Sequence, residues 1–232
     1  MVSFGVAVFE PPGGADRRLD FEGAVRSDRV MSMDGAAWQP TFFYDFNSPY
    51  AYFAANRVDD LVPVEVRWQP IALAFVLRAC SRRPWSFDED QRRVGIAECE
   101  RRAHEYGLPA MRWPPGWPIE SYGLASLRGA LVADEHGLLR EFSLAAFRRN
   151  FVDGVGVKQP DDVVAVADEI GLSDSIMKEG LESAHIKARL ATATDAAIAA
   201  GVIGVPTLLL ETECFWGDDQ LAMAAAAVSR SS

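Results

Sequence analysis

The 232-residue chain carries 33 Asp and Glu against 23 Lys and Arg, for a net charge of −10. That acidic surplus argues against nucleic acid or an anionic membrane surface as the main partner, because both reward clustered Lys and Arg. With 49% hydrophobic and 24% charged residues, wholesale disorder is excluded, and the length suits one large domain or two small ones.

Residues 1–38 read differently from the rest. The break at Pro11, Pro12, Gly13 and Gly14, the mixed charges and the lack of a sustained period predict a poorly ordered N-terminal extension. Met31 or Met33 is an alternative start, and a docking arm is the other reading. Thr41 to Phe46 is aromatic-rich and predicts a buried strand. It breaks at Asn47, Ser48 and Pro49 into a predicted helix from Tyr50 to Arg57. Pro63 to Trp68 alternates and predicts a second strand, parallel to the first with a right-handed crossover.

Ser86 and Glu89 have capping-box spacing, so a helix is expected to open there, run to about Tyr106 and stop at Gly107. Pro109, Pro114, Pro115 and Pro118 then mark a loop that holds Trp113 and Trp117. Apolar residues at helical spacing predict helices over 121–136, 138–151, 160–170 and 182–200. Thr207 to Leu210 and Cys214 to Trp216 read as short strands around a turn at Glu211 to Glu213. Gly217, Asp218 and Asp219 open a final Ala-rich helix. This order, β-α-β, then helices, then β-β-α, is that of an α/β thioredoxin fold over residues 39–232. An all-helical insertion occupies about residues 71–200.

Cys80, Cys99 and Cys214 are too few and too scattered for a disulfide framework. No C-x-x-C pair occurs and His104, His136 and His185 lie in separate segments, so no metal site is expected. The odd cysteine count and the absence of a signal-peptide pattern point to a reducing, cytoplasmic setting. No apolar run of about 18 residues occurs, so no spanning helix is expected.

Two places could carry chemistry. Ser48-Pro49 is a favourable helix start and nothing more is required of it. Alternatively, the amide N–H groups of a helix following the first strand could stabilise an anion such as a thiolate. Val205-Pro206 precedes a strand and is either an ordinary trans proline or, in a thioredoxin fold, a cis one facing that helix. A cis bond there turns the Val205 backbone toward the site, where it can pair with a peptide-like ligand.

The segments Phe43 to Tyr52, Gly201 to Thr207 and Phe215 to Asp219 together resemble the 2-hydroxychromene-2-carboxylate isomerases. These belong with the kappa-class glutathione transferases in the DsbA-like thioredoxin superfamily. The resemblance covers about residues 41–230, with the motifs in order and at matching spacing. It implies that Ser48 replaces a redox cysteine and binds the thiolate of glutathione, with Pro49 and Tyr50 beside it. Ala51 holds the second redox position, which excludes dithiol exchange by the chain alone. Val205 and Pro206 would pair with the cysteinyl unit through the main chain, and Asp219 would receive the γ-glutamyl amino group. Asp218 stands beside it, where relatives often carry Ser or Gln.

Arg82 occupies a position where kappa-class relatives place Asn, and Gln220 one where relatives have Arg. Arg82 could grip a substrate carboxylate or be a solvated loop residue. Trp113 and Trp117 could wall an aromatic pocket or simply pack. The implied function is cis–trans isomerisation of a small aromatic carboxylate through addition of glutathione, or of another low-molecular-weight thiol, in aromatic catabolism. A kappa-like glutathione transferase or peroxidase and a thiol-free binding module are the alternatives on the same fold. A homodimer stays open.

Overall fold

Strand β1 (Thr41–Tyr44) is flanked on one side by β2 (Arg67–Pro70), which runs parallel to it, and on the other by antiparallel β3 (Thr207–Leu210). The outer strand β4 (Glu213–Trp216) pairs antiparallel with β3, so the order is β2-β1-β3-β4. The structure, a computed structural model, describes residues 39–211 and 213–231. The expected N-terminal extension and its alternative starts lie outside the described residues. A four-strand mixed sheet with this connectivity is the α/β thioredoxin fold read from the sequence.

The central strand is covered on both faces, and Phe42, Phe43 and Tyr44 are buried for that reason. Phe42 and Tyr44 face one side, where they join Trp68, Leu208, Leu210 and Phe215 in the larger apolar cluster. Phe43 faces the other side, with Ile71, Val76, Ala197, Val202 and Val205. Tyr44 is fully buried and its hydroxyl meets the Ser143 hydroxyl at 2.6 Å, which satisfies both polar groups inside the core.

Helix α1 (Pro49–Ala55) follows β1 and leads through α2 (Val58–Leu61) to β2. Pairing in β2 starts four residues later than the Pro63–Trp68 alternation predicts. The ladder begins only where the Arg67 N–H reaches the Pro40 carbonyl at 2.8 Å. Of the earlier alternating residues, Val66 is buried while Val64 stays exposed.

Between β2 and β3 the chain is helical: α3 (Leu73–Ala79), α4 (Glu89–Glu105), α5 (Ala125–Glu135), α6 (Leu139–Arg148), α7 (Pro160–Glu169), α8 (Asp174–Glu182) and α9 (Ala184–Ala199). Helix α10 (Leu221–Ser231) closes the fold. Four expectations shift. Asp88, not Ser86, caps α4: its carboxylate accepts from the Gln91 N–H at 3.0 Å, while Ser86 sits in a single 3₁₀ turn. The Trp85 indole of that turn packs flat on Gly95, leaving no space for a Cβ. Residues 121–124 stay outside α5, and α6 ends at Arg148 in a wide π turn closed by Gly154 at φ +71°. The predicted 182–200 helix begins after Ser183, whose hydroxyl accepts from Ile186 N–H. Among the described residues no helix is long and apolar enough to cross a membrane.

Candidate active site at the start of the first helix

The end of β1 turns at Asp45 and delivers Ser48 to the N-cap of α1, with Pro49 as the first helical residue. The turn is fixed by two bonds to Asp45, from Asn47 N–H to the carboxylate at 2.9 Å and from Ser48 N–H to the carbonyl at 3.1 Å. This is the local Asx geometry that Asp followed by Asn and Ser favours. The Ser48 hydroxyl, 5% exposed, accepts from Ala51 N–H at 3.2 Å and donates toward the Val205 carbonyl at 3.5 Å. The first bond is an ordinary cap; the second is long and weak. Its proton is therefore free to turn to a better acceptor. With only seven residues in α1, the hydroxyl rather than a helix dipole carries the anion reading.

The Val205-Pro206 bond is cis. Thr207 Oγ1 donates to the Gly204 carbonyl at 2.8 Å and Gly217 N–H to the Pro206 carbonyl at 2.9 Å, which pins the loop to β3 and β4. The Val205 N–H has no acceptor among the described residues. Val205 is a buried residue and lies in the loop that faces Ser48. A peptide-like ligand would satisfy its N–H.

A second wall comes from the proline-rich loop. Asn47 donates to the Pro118 carbonyl at 2.8 Å, accepts from Ser121 Oγ at 2.9 Å, and its carbonyl accepts from Trp117 Nε1 at 3.0 Å. Trp117 is thus the tryptophan at the turn. Trp113 sits behind it, with ring centroids 4.5 Å apart, and its indole N–H goes to Glu100 at 3.2 Å. Neither Asn47 nor Asp45 stands out in the sequence; the available signal is the Asx turn itself.

Tyr50 packs edge-on against Phe53 and Trp85, with the Arg102 guanidinium 5.5 Å from its ring centre. Its hydroxyl faces the Cys99 thiol, and burial raises the pKa of both, Cys99 to about 12. Cys99 therefore stays a thiol at neutral pH and is no nucleophile.

Asp218 is placed differently from the expectation that it faces a ligand. It is 2% exposed, its carboxylate accepting from Arg102 Nη1 and Tyr106 Oη, each at 2.8 Å. Burial raises its pKa, with Arg102 and Tyr106 acting the other way. The side chain turns inward because α4 supplies a cation that the local sequence does not reveal. Asp219 is exposed, and its carboxylate folds over Gly217, which adopts φ +120°. A Cβ at Gly217 would collide with that carboxylate, and L residues avoid such a φ. Arg82, beyond α3, lies 4.5 Å above the Trp216 ring. The same indole presses on Gly204, next to Val205. The chain fold therefore brings Ser48, Val205 and Pro206 together, and sets the Arg82–Trp216 pair beside that loop.

Residues 41–229 match the family model of the DSBA-like thioredoxin domain. The chain belongs to this family. Among its DsbA-like relatives, the 2-hydroxychromene-2-carboxylate isomerase of Sphingobium xenophagum is 25% identical over 185 residues, covering 78% of this chain and 92% of that protein. The isomerase of the same name from Pseudomonas putida is 26% identical over 197 residues, covering 82% and 93%. A solved structure of a 2-hydroxychromene-2-carboxylate isomerase superposes with a TM-score of 0.74 at 26% identity, covering 83% of this chain and 95% of that one. Family, sequence relatives and fold thus agree with the resemblance read from the three motifs.

Proposed function

We propose that the protein is a glutathione-dependent isomerase of the 2-hydroxychromene-2-carboxylate type, acting in the catabolism of aromatic compounds. The observation that carries this reading is the facing of the Ser48 hydroxyl and the Val205 main chain at the start of α1. No thiol stands at 48 or 51, so the site is built to hold a sulfur anion supplied from outside rather than to exchange disulfides. The relatives named as isomerases support the choice of reaction.

The residues fit a small γ-glutamyl thiol. Bound glutathione would supply a sulfur nucleophile that adds to the unsaturated substrate and leaves again, so that a double bond can rotate without net redox change. Ser48 would give its hydroxyl proton to the sulfur anion as a hydrogen bond and lower the thiol pKa. The Val205 N–H and carbonyl would pair with the peptide of the cysteinyl unit in β fashion. Asp219 would meet the γ-glutamyl ammonium, with Asp218 behind it binding Arg102 instead of the ligand. Arg82 would receive the substrate carboxylate beside the Trp216 ring, and Trp117, rather than Trp113, would bound the aromatic substrate. Holding both reactants in one orientation then supplies much of the rate.

Turnover of 2-hydroxychromene-2-carboxylate by the purified protein with catalytic glutathione tests the proposal. Product formation with the free thiol concentration unchanged is the expected result. Stoichiometric loss of thiol would instead mark a transferase, and absence of turnover with any thiol would favour a binding module.

A further inference from the structure

Asp45 is 2% exposed, yet donors from three separate segments converge on its carboxylate. Oδ1 accepts from Asn47 N–H at 2.9 Å in the turn that carries Ser48, and Oδ2 accepts from Leu73 N–H at 2.9 Å at the start of α3. The Tyr122 hydroxyl approaches it from the proline-rich loop, while accepting from Ala74 N–H at 3.4 Å. Through Asn47 the same clasp continues to Pro118, Ser121 and Trp117.

We propose that the ionised Asp45 carboxylate is the positioning residue of this site, holding the Ser48 turn, the start of α3 and the proline-rich loop in register. The activity part of this inference rests on the isomerase reading; the structural part does not.

An ionised carboxylate is acceptor-only and can take all three donors at once. A proton turns this charged acceptor into a neutral carboxyl and weakens the bonds it receives from the turn and from α3. Because those bonds hold the wall of the site, the Ser48 turn is held less firmly against Val205. Burial pushes the Asp45 carboxyl up to about 6, against the pull of its hydrogen bonds, which brings the switch close to physiological pH. Tyr122 is the titratable group that acts on it; the turn and α3 present N–H groups, and Thr194 of α9 is occupied with Ala72 N–H at 3.1 Å. The Asp45 carboxylate does not reach the substrate in this scheme and acts through Asn47 and Ser48.

The test compares wild type with Asp45→Asn between about pH 5 and about pH 8. Two readouts are kcat/KM for 2-hydroxychromene-2-carboxylate with glutathione, and tryptophan fluorescence without any ligand, to which Trp117 at the turn and its ring neighbours Trp85 and Trp113 contribute. Wild type should lose activity on the acid side with a midpoint near the Asp45 pKa, and its fluorescence should shift with the same midpoint. Asp45→Asn should lower kcat/KM above neutral pH by about tenfold or more, the value of a charge-assisted hydrogen bond. It should also abolish the fluorescence transition, while any acid limb set by ionisation of the thiol itself stays. Retention of the fluorescence step in the variant overturns the proposal. If Asp45→Asn does not fold, a wild-type fluorescence titration flat across that range overturns it equally. Wild type inactive at every pH would end the isomerase reading while leaving the fluorescence result to decide the role of Asp45.

Discussion

Ser48 and Val205 are 157 residues apart in the chain, yet the hydroxyl of one faces the carbonyl of the other at 3.5 Å. Too long to contribute much stability, that contact leaves the hydroxyl proton free to turn to a better acceptor.

Ser48→Ala should separate chemistry from folding. It removes the cap on Ala51 N–H, which costs about 1 kcal/mol of stability, and it removes the donor to the sulfur anion. One such charge-assisted bond is worth roughly 1.5–3 kcal/mol, or about 10–150-fold in kcat/KM. Denaturant melts and turnover on the same preparation check it. Wild-type turnover in the variant would withdraw Ser48 from the mechanism.

Asp218 and Asp219 are neighbours with opposite expected phenotypes. Asp218→Ala leaves Arg102 with Glu98 alone and the Tyr106 hydroxyl without its acceptor, and the loss should be on the order of 2–3 kcal/mol, below that of a fully buried pair because Arg102 is partly exposed. Asp219→Ala should leave stability nearly unchanged, since its carboxylate is exposed. It should instead reduce the thermal shift produced by glutathione. At about 100 times its dissociation constant, glutathione should stabilise wild type by roughly 2.7 kcal/mol, on the order of 5–10 °C in Tm. Thermal scans with and without ligand distinguish the two variants.

Arg82→Gln should raise KM for the carboxylate substrate by about tenfold while leaving the glutathione-induced shift intact. The reasoning is positional: the guanidinium stands over the Trp216 ring, whose indole lies against Gly204 next to Val205. A parallel loss of thiol affinity would place Arg82 on the glutathione rather than on the substrate.

Asp45 has a measurable consequence for stability as well as for activity. Its folded-state pKa of about 6 lies above the ordinary 3.8, so the folded chain keeps a proton that the unfolded chain releases. The contribution is fully present below about pH 4 and is lost as pH rises through about 6, a difference of roughly 3 kcal/mol. Unfolding free energies of wild type minus Asp45→Asn should therefore fall across that window and be flat above it. A difference that is constant from acid to neutral pH would contradict the buried carboxylate. Stability spent on an ionised Asp45 in exchange for an ordered site is the usual conflict at functional positions.

The local signals were sufficient for much of this protein. The apolar run of β1, the Ser-Pro start of α1, the paired short strands β3 and β4, and the proline after Val205 each follow from residues within a few positions of one another. Pattern and turn chemistry act at that range, and the element order they produce already specifies the thioredoxin topology. Other features depend on partners that no local pattern connects. Asp218 reads as a ligand-facing acid beside Asp219 until Arg102 of α4 and Tyr106 at its end arrive beside it; Trp117 rather than Trp113 reaches the Ser48 turn because Asn47 bonds the loop through its main chain and side chain. Asp45 reads as one more residue of a buried strand. Its charge acquires meaning only when α3 and the proline-rich loop bring donors to it, because the energy of a buried carboxylate is set by what surrounds it in space.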